Sequence, residues 1–399
     1  MKKHDLYPAI VTGLFCAFLG CGTLLSVFSP KKAFSDTENR YLTQLPKLTW
    51  DSLKSGKFGT AYEEYLSDQF PFRDNWIGVK TAAEQAQFKK EINGVWLGDD
   101  QYLIEALYDE DIDQTLYDKN LERLVLFAGQ QSELLGPEHV RIMLVPSSSE
   151  ILTDKLPSFA APFHQASVFA DLADKGVESL LVPIRDALLD TNRLNGTHLS
   201  DDSSSNSSSS GLYYRTDHHW TTGGAYIGYT AWAASMGITP LSQSDFSIET
   251  VSKDFLGTIH SKLNLPIAPD SIELYRPLNE PEWNIYYDGS KEPSHSLYAM
   301  DALNTRDKYR VFLDGNHGLT KIENPAQSSG RKLLLIKDSY AHSFTPFAAL
   351  HFDETYMVDL RYFNGKVSNF IEEQGITDVL VLYQIPGFIK DVNVSKLTW

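Results

Sequence analysis

"KLLLIKDSYAHSF" occupies residues 332–344, and its first half decides the fold. From Leu333 to Ile336 every residue is apolar, with no polar alternation, so both faces of this segment expect burial. Strands buried on both faces belong to parallel sheets covered by helices on each side. The same pattern returns in "HVRIMLVPSSSE" (139–150), "VESLLVPIRDALL" (177–189), "ETYMVDLRYF" (354–363) and "ITDVLVLYQIPGF" (376–388), with helix-length sequence between the runs. The expected class is therefore α/β, built on a mostly parallel sheet. Active sites on such sheets lie beyond the carboxyl ends of the strands. That edge nominates Ser147, Asp338, Ser339, Asp359 and Arg361.

The second half of the opening stretch turns sharply from strand to helix at Lys337-Asp338-Ser339. Such a turn lifts a serine hydroxyl above the sheet and leaves backbone N–H groups nearby to bind an oxyanion. A serine hydroxyl is a weak nucleophile and needs a base that a third group orients. "YYRTDHHWTTGG" (213–224) contains both partners. "GAYIGYTAWAAS" behind it has helical spacing, and Thr221 or Thr222 can cap that helix. Asp217, His218, His219 and Trp220 thus fall in a turn at a helix N-terminus, where the dipole favours negative charge. In an extended turn, residues 217 and 219 point one way and 218 the other. Asp217 then accepts from one ring nitrogen of His219 and leaves the other free as a base. Plainer readings stand beside this one: a serine after a strand caps a helix, and Asp-His-His makes a polar turn. Paired histidines with a carboxylate also ligate zinc or iron, although no HExxH spacing occurs. The serine reading needs no metal and no cofactor.

The chain has 399 residues and a net charge of −17, without a basic stripe to neutralise phosphates, which excludes nucleic acid as a partner. Its N-terminus carries Lys2 and Lys3, then an apolar run from Tyr7 to Phe28, closed by Pro30, Lys31 and Lys32. At roughly 1.5 Å per residue that run crosses a bilayer, so residues 1–32 read as a single-pass anchor in the cell membrane, with the rest of the chain outside the cytoplasm. A cleaved signal peptide is the alternative. Both cysteines, Cys16 and Cys21, lie in this run, so the remainder has no disulfide and no thiolate chemistry. Residues 33–92 read as a linker followed by helices broken at Pro71, and residues 93–399 as the α/β domain. Within it, "NGVWLGDDQYLIEAL" (93–107) reads as a hairpin, the serine run 201–211 as a loop, and residues 240–330 as an irregular insertion.

"TENRYL", "YLSDQFPFRD", "YYRTDHHWT", "FLGTIHSK", "KYRVFLDGNHGL", "LLIKDSYAHSFTPF" and "VDLRYF" follow one another from residue 37 to residue 363. In this combination the chain resembles the DHHW family of bacterial envelope proteins, which are similar to the SGNH-hydrolase-like alginate O-acetyltransferases. The resemblance implies an SGNH-hydrolase-like (flavodoxin-like) sheet with a permuted order of catalytic blocks. Carried over by motif, it implies Ser339 as nucleophile, His219 as base and Asp217 as its orienting acid. It further nominates Arg361, Asn316, Trp220 and Tyr340 for substrate or oxyanion binding. Lys337 stands where such relatives carry Gly, and His342 where Asn is expected. The implied activity is extracytoplasmic O-acetylation of a cell-surface or secreted polysaccharide, with a membrane-bound O-acyltransferase as acyl donor. A carbohydrate esterase with the same residues, and a non-catalytic polysaccharide-binding or export protein, are the alternatives.

Overall fold

The structure, a computed structural model, describes residues 3–35, 40–198 and 211–399. The serine run 201–210 therefore lies outside the described residues, as do residues 36–39 of the linker. The chain divides into two compact units, residues 1–89 with 261–266, and residues 90–260 with 267–399.

The first unit is helical. Helix α1 (Lys3–Phe28) holds the apolar run, and Tyr7–Phe28 is long and apolar enough to cross a membrane. A short pairing of β1 (Phe34–Ser35) with β2 (Arg40–Tyr41) precedes α2 (Trp50–Lys54), α3 (Lys57–Asp68) and α4 (Arg73–Gln85). The break at Pro71 falls between α3 and α4, as the sequence requires of a residue without an N–H to donate.

The second unit opens with a small antiparallel meander of β3 (Glu91–Ile92), β4 (Val95–Leu97) and β5 (Leu103–Glu105), the expected hairpin with one strand more. Helix α5 (Gln114–Leu135), capped by the Asp113 carboxylate, leads into β6 (Val140–Val145). Short helices α6 (Ser148–Ile151) and α7 (Ala166–Asp174) follow, then α8 (Ile184–His198) and α9 (Thr222–Ser235). A long hairpin pairs β7 (Phe246–Phe255) with β8 (Asp270–Pro277), and α10 (Thr258–Ser261) lies between them in sequence. The chain then runs through β9 (Asn284–Tyr287), β10 (Leu319–Glu323), β11 (Lys332–Lys337), α11 (Ala341–Ala348), β12 (Glu354–Val358), α12 (Val367–Gln374), β13 (Asp378–Gln384) and α13 (Ile385–Lys390).

Six strands form the main sheet in the order β6-β13-β11-β12-β10-β9. The first four are parallel, and β10 and β9 add antiparallel pairs at one edge. Leu333 and Leu335 of β11 and Leu380 and Leu382 of β13 enter one apolar layer, with Tyr229, Trp232 and Phe344 from α9 and α11. Their alternates Leu334, Ile336, Val379 and Val381 enter the opposite layer, with Leu124 of α5, Phe370 of α12 and Phe388 of α13. Burial on both faces is why the runs show no alternation.

Two expectations need correction. "VESLLVPIRDALL" does not form a strand: Leu181 makes a single parallel bridge to Ile142, and α8 begins directly after Pro183, whose fixed φ favours a helix start. Residues 240–330 are not simply irregular, because they supply the β7–β8 hairpin and both antiparallel edge strands. In β10 buried and half-buried positions alternate, a period-2 signal diluted by the surrounding Pro and Asn.

Candidate active site

Residues 212–221 close a tight loop on themselves. Tyr213 bridges Trp220, Tyr214 N donates to the His219 carbonyl at 3.2 Å, and Thr221 N to the Leu212 carbonyl at 3.0 Å. The Asp270 carboxylate pins one arm by accepting from Thr216 N at 2.8 Å and Thr216 Oγ1 at 2.6 Å. The other arm runs into α9, which Thr221 caps by accepting from Gly224 N at 3.1 Å, as expected.

This loop aims a chain of hydrogen bonds at the turn after β11. Asp217 Oδ1 lies 2.5 Å from His219 Nδ1, and His219 Nε2 lies 2.7 Å from Ser339 Oγ. A charged carboxylate only accepts, so Nδ1 carries the imidazole proton and Nε2 is left to accept from the serine hydroxyl. Asp217 Oδ1 also accepts from the His219 backbone N–H at 3.0 Å; Oδ2 accepts from Thr258 N at 2.8 Å and Thr258 Oγ1 at 3.1 Å. Burial works to raise the Asp217 carboxyl, but His218, His219 and the Thr258 N–H outweigh it and hold the group far below its usual range. Burial, with help from neighbouring His218, lowers His219 to about 4, so the imidazole is neutral near pH 7.

Backbone requirements explain why the carboxylate fits so closely. A Cβ on Gly257 would collide with the Asp217 side chain. The ring of Tyr309 stacks on His219 with centroids 3.8 Å apart and planes 12° apart, which fixes the imidazole in orientation. Its hydroxyl reaches Ser343 Oγ at 3.1 Å.

The serine turn is held just as firmly. Asp338 Oδ1 accepts from Tyr340 N at 2.9 Å, and Oδ2 from Gln384 N at 2.8 Å, which ties the turn to the end of β13. The protein packed around Asp338 pushes its carboxyl up to about 6, against the pull of those two N–H groups. The Ser339 N–H donates to no acceptor among the described residues, so it remains available beside the hydroxyl.

The structure thus brings Ser339, His219 and Asp217 together, and it engages the remaining candidates in other contacts. Trp220 is wholly buried; its Nε1 donates to the Tyr340 carbonyl at 3.0 Å, so it packs and does not face a substrate. Tyr340 is buried too, donating its hydroxyl to the His218 carbonyl and accepting from Gln384 Nε2. Arg361 is engaged by Asp359, at 2.9 Å through Nε and 2.6 Å through Nη2. Asn316 is exposed, and its Oδ1 accepts from Arg361 at 3.2 Å. His218 does not point away from Asp217 and His219: the loop bends at this point, the two imidazoles lie 3.8 Å apart, and His218 Nδ1 meets Thr258 Oγ1 at 2.7 Å. His342 is no rival base, because Lys337 Nζ donates to its Nε2 at 2.9 Å, and burial together with that cation keeps it neutral. Lys337 itself is buried against Asp359 at 3.1 Å.

Asp217, His218 and His219 offer ligand atoms within 4.8 Å of one another. Both Asp217 oxygens are, however, already filled by N–H and O–H donors, and His219 spends its two ring nitrogens on Asp217 and Ser339. The donor set fits a proton relay better than a cation.

Thr258, Tyr309 and Gln384 were not singled out by sequence. Thr258 and Tyr309 lie in the "FLGTIHSK" and "KYRVFLDGNHGL" stretches, which gave no hint of a role. Gln384 had one signal, a polar side chain closing an unbroken buried strand.

Residues 192–358 match the DHHW protein family. The match takes in both the DHHW loop and the serine turn. A DHHW family protein from Eubacterium siraeum is similar to the chain in structure, with 25% identity and a TM-score of 0.59 over 77% of this chain and 95% of that one. Bacillus cereus PatB1, determined with a sulfonyl adduct, shares the fold at 19% identity and a TM-score of 0.58, covering 76% of this chain and 97% of that one. The O-acetyltransferase domain of Pseudomonas putida AlgJ aligns at 16% identity with a TM-score of 0.42, over 76% and 98% of the two chains. No curated protein sequence matches the chain.

Proposed function

We propose that the chain is a membrane-anchored, extracytoplasmic serine O-acyltransferase that transfers acetyl groups to a polysaccharide, on an SGNH-like site of permuted order. The observation that carries this reading is the 2.7 Å hydrogen bond from Ser339 Oγ to an imidazole whose other nitrogen is held by Asp217. Ser339 Oγ attacks the donor's acyl carbon while its proton passes to His219 Nε2. The free N–H of Ser339 stabilises the oxyanion. The imidazolium returns the proton to the departing oxygen, leaving an acyl-serine. A sugar hydroxyl then gives its proton to His219 and attacks the ester, and the proton finally goes back to Ser339 Oγ. Asp217 stabilises the imidazolium in both halves. Acetyl-CoA is not found outside the cytoplasm, so the donor would be a membrane-bound O-acyltransferase.

The test is acyl transfer from an activated acetyl ester to oligosaccharide acceptors, with Ser339→Ala as control. The full reading expects acetylated sugar from the native protein and none from a folded Ser339→Ala. Acetate release that ignores every acceptor would reassign the site to an esterase. Undiminished transfer by Ser339→Ala would remove the serine from the mechanism.

A further inference from the structure

Two groups approach His219 from two directions. Asp217 meets it in the plane of the ring, through Nδ1, and Tyr309 covers one face, parallel to within 12° with centroids 3.8 Å apart. Carbon atoms in contact stand about 3.5 Å apart or more, so two rings this close overlap with little sideways offset. Uncharged aromatic rings prefer an offset or edge-on approach. Tyr309 follows that preference toward Tyr214, at 6.4 Å and 87°, and toward Phe312, at 5.2 Å and 56°. Toward His219 it presents its full face. Such a face attracts a cation, most strongly where water is excluded. Tyr309 and His219 are each only 5% exposed. The imidazole is neutral at rest and becomes an imidazolium when Nε2 takes the proton of Ser339 Oγ.

We infer that Tyr309 stabilises this imidazolium through its π face, as a second charge-stabilising group beside Asp217. The inference rests on reading Ser339 as a nucleophile and His219 as its base. An interaction that strengthens as the charge forms lowers the barrier and leaves the resting state nearly as it was. The phenol hydroxyl serves a different purpose. It lies 3.1 Å from Ser343 Oγ and 3.4 Å from the Ser339 carbonyl oxygen, which ties the ring to the turn that carries the nucleophile. Burial pushes its pKa up, so the hydroxyl stays protonated and the ring keeps its neutral charge.

Fluorine on a ring withdraws electron density from its face with little change of shape, which separates this role from packing. Position 309 of the full chain is filled, by nonsense suppression, with phenylalanine and with phenylalanines carrying one, two and three ring fluorines. The rate of Ser339 modification by a sulfonyl fluoride is then measured, a reaction that joins Oγ to sulfur, expels fluoride and moves the hydroxyl proton to His219. The expected result is a decline in equal logarithmic steps, about tenfold from the first member to the last, within the range of a desolvated cation–π contact. Circular dichroism identifies the folded members, and any three of the four define the slope. A flat series, or a loss confined to the Tyr309→Phe step, overturns the inference and leaves the ring a packing role while the nucleophile and base stand. Native protein that is as inert to the reagent as Ser339→Ala overturns both the inference and the reading on which it rests.

Discussion

Replacing Asp217 by Asn keeps size and removes charge, and the structure lets its effect be worked out. The carboxylate accepts four hydrogen bonds: from His219 N and Nδ1 on Oδ1, and from Thr258 N and Oγ1 on Oδ2. An amide offers one acceptor oxygen and one donor NH₂. With NH₂ toward Thr258, donors face donors. With NH₂ toward His219, the clash is relieved only if the imidazole proton moves to Nε2, where it can no longer accept from Ser339 Oγ. Loss of the correct tautomer in a triad lowers the rate about 10⁴-fold, equivalent to about 5.4 kcal/mol at about 1.36 kcal/mol per decade. The assay is the second-order rate of Ser339 modification by a sulfonyl fluoride, alongside p-nitrophenyl acetate turnover, with circular dichroism to establish that the variant is folded. The native pH profile sharpens the test. Burial holds His219 at about 4, below the ordinary value near 6.5. Protonation blocks the base, so reactivity stays level as pH falls through 6.5 and is lost only on approaching 4. A folded Asp217→Asn that loses less than tenfold, or a native profile breaking near 6.5, would falsify the assignment of a buried His219–Asp217 base.

Gly257→Ala drives a methyl group into Asp217, so acyl-serine formation drops about 10- to 100-fold, the usual cost of misplacing a catalytic group by about 1 Å; turnover close to native would show that the carboxylate tolerates displacement. Asp359→Ala strips the counter-charge from buried Lys337 and from Arg361, and destabilises the fold by about 3–5 kcal/mol in urea titration; Lys337→Met in that background recovers part of the loss. His351, lowered to about 4 mainly by burial, accepts from the Tyr229 hydroxyl as a neutral ring. The unfolded chain takes up its proton first, so stability present above pH 6.5 is lost down to about pH 4, at up to about 1.4 kcal/mol per pH unit. His351→Gln should flatten that part of the stability–pH curve; an unchanged slope would assign the acid sensitivity to other groups.

The parallel core was legible because β11 and β13 hold unbroken apolar runs, Leu333–Ile336 and Val379–Leu382, with shorter ones in β6 and β12, a pattern that double-sided burial produces. The strand expected at 177–189 failed because the same apolar density also suits a buried helix start, and Pro183 favoured the helix. Asp217, His219 and Ser339 were legible from residue type and spacing. Their supporting groups were not: Thr258, Tyr309 and Gln384 act through distances that only the folded chain sets, and the stretches that hold them do not say which residue meets the site. Arg361, Asn316, Trp220 and Tyr340 were chosen for chemical capability, whereas burial and ion pairing decided how each is employed.

Among the described strands β13 comes last in sequence, yet it lies inside the sheet, between β6 and β11. β6 must therefore wait for more than 230 intervening residues before its neighbour arrives, and the serine turn, tied to Gln384, waits with it. A chain emerging N-terminus first cannot complete the parallel part of the sheet until β13 is free, so folding is expected to be slow. Cutting the chain ahead of Asp378 would not trim a border. It would pull out the keystone.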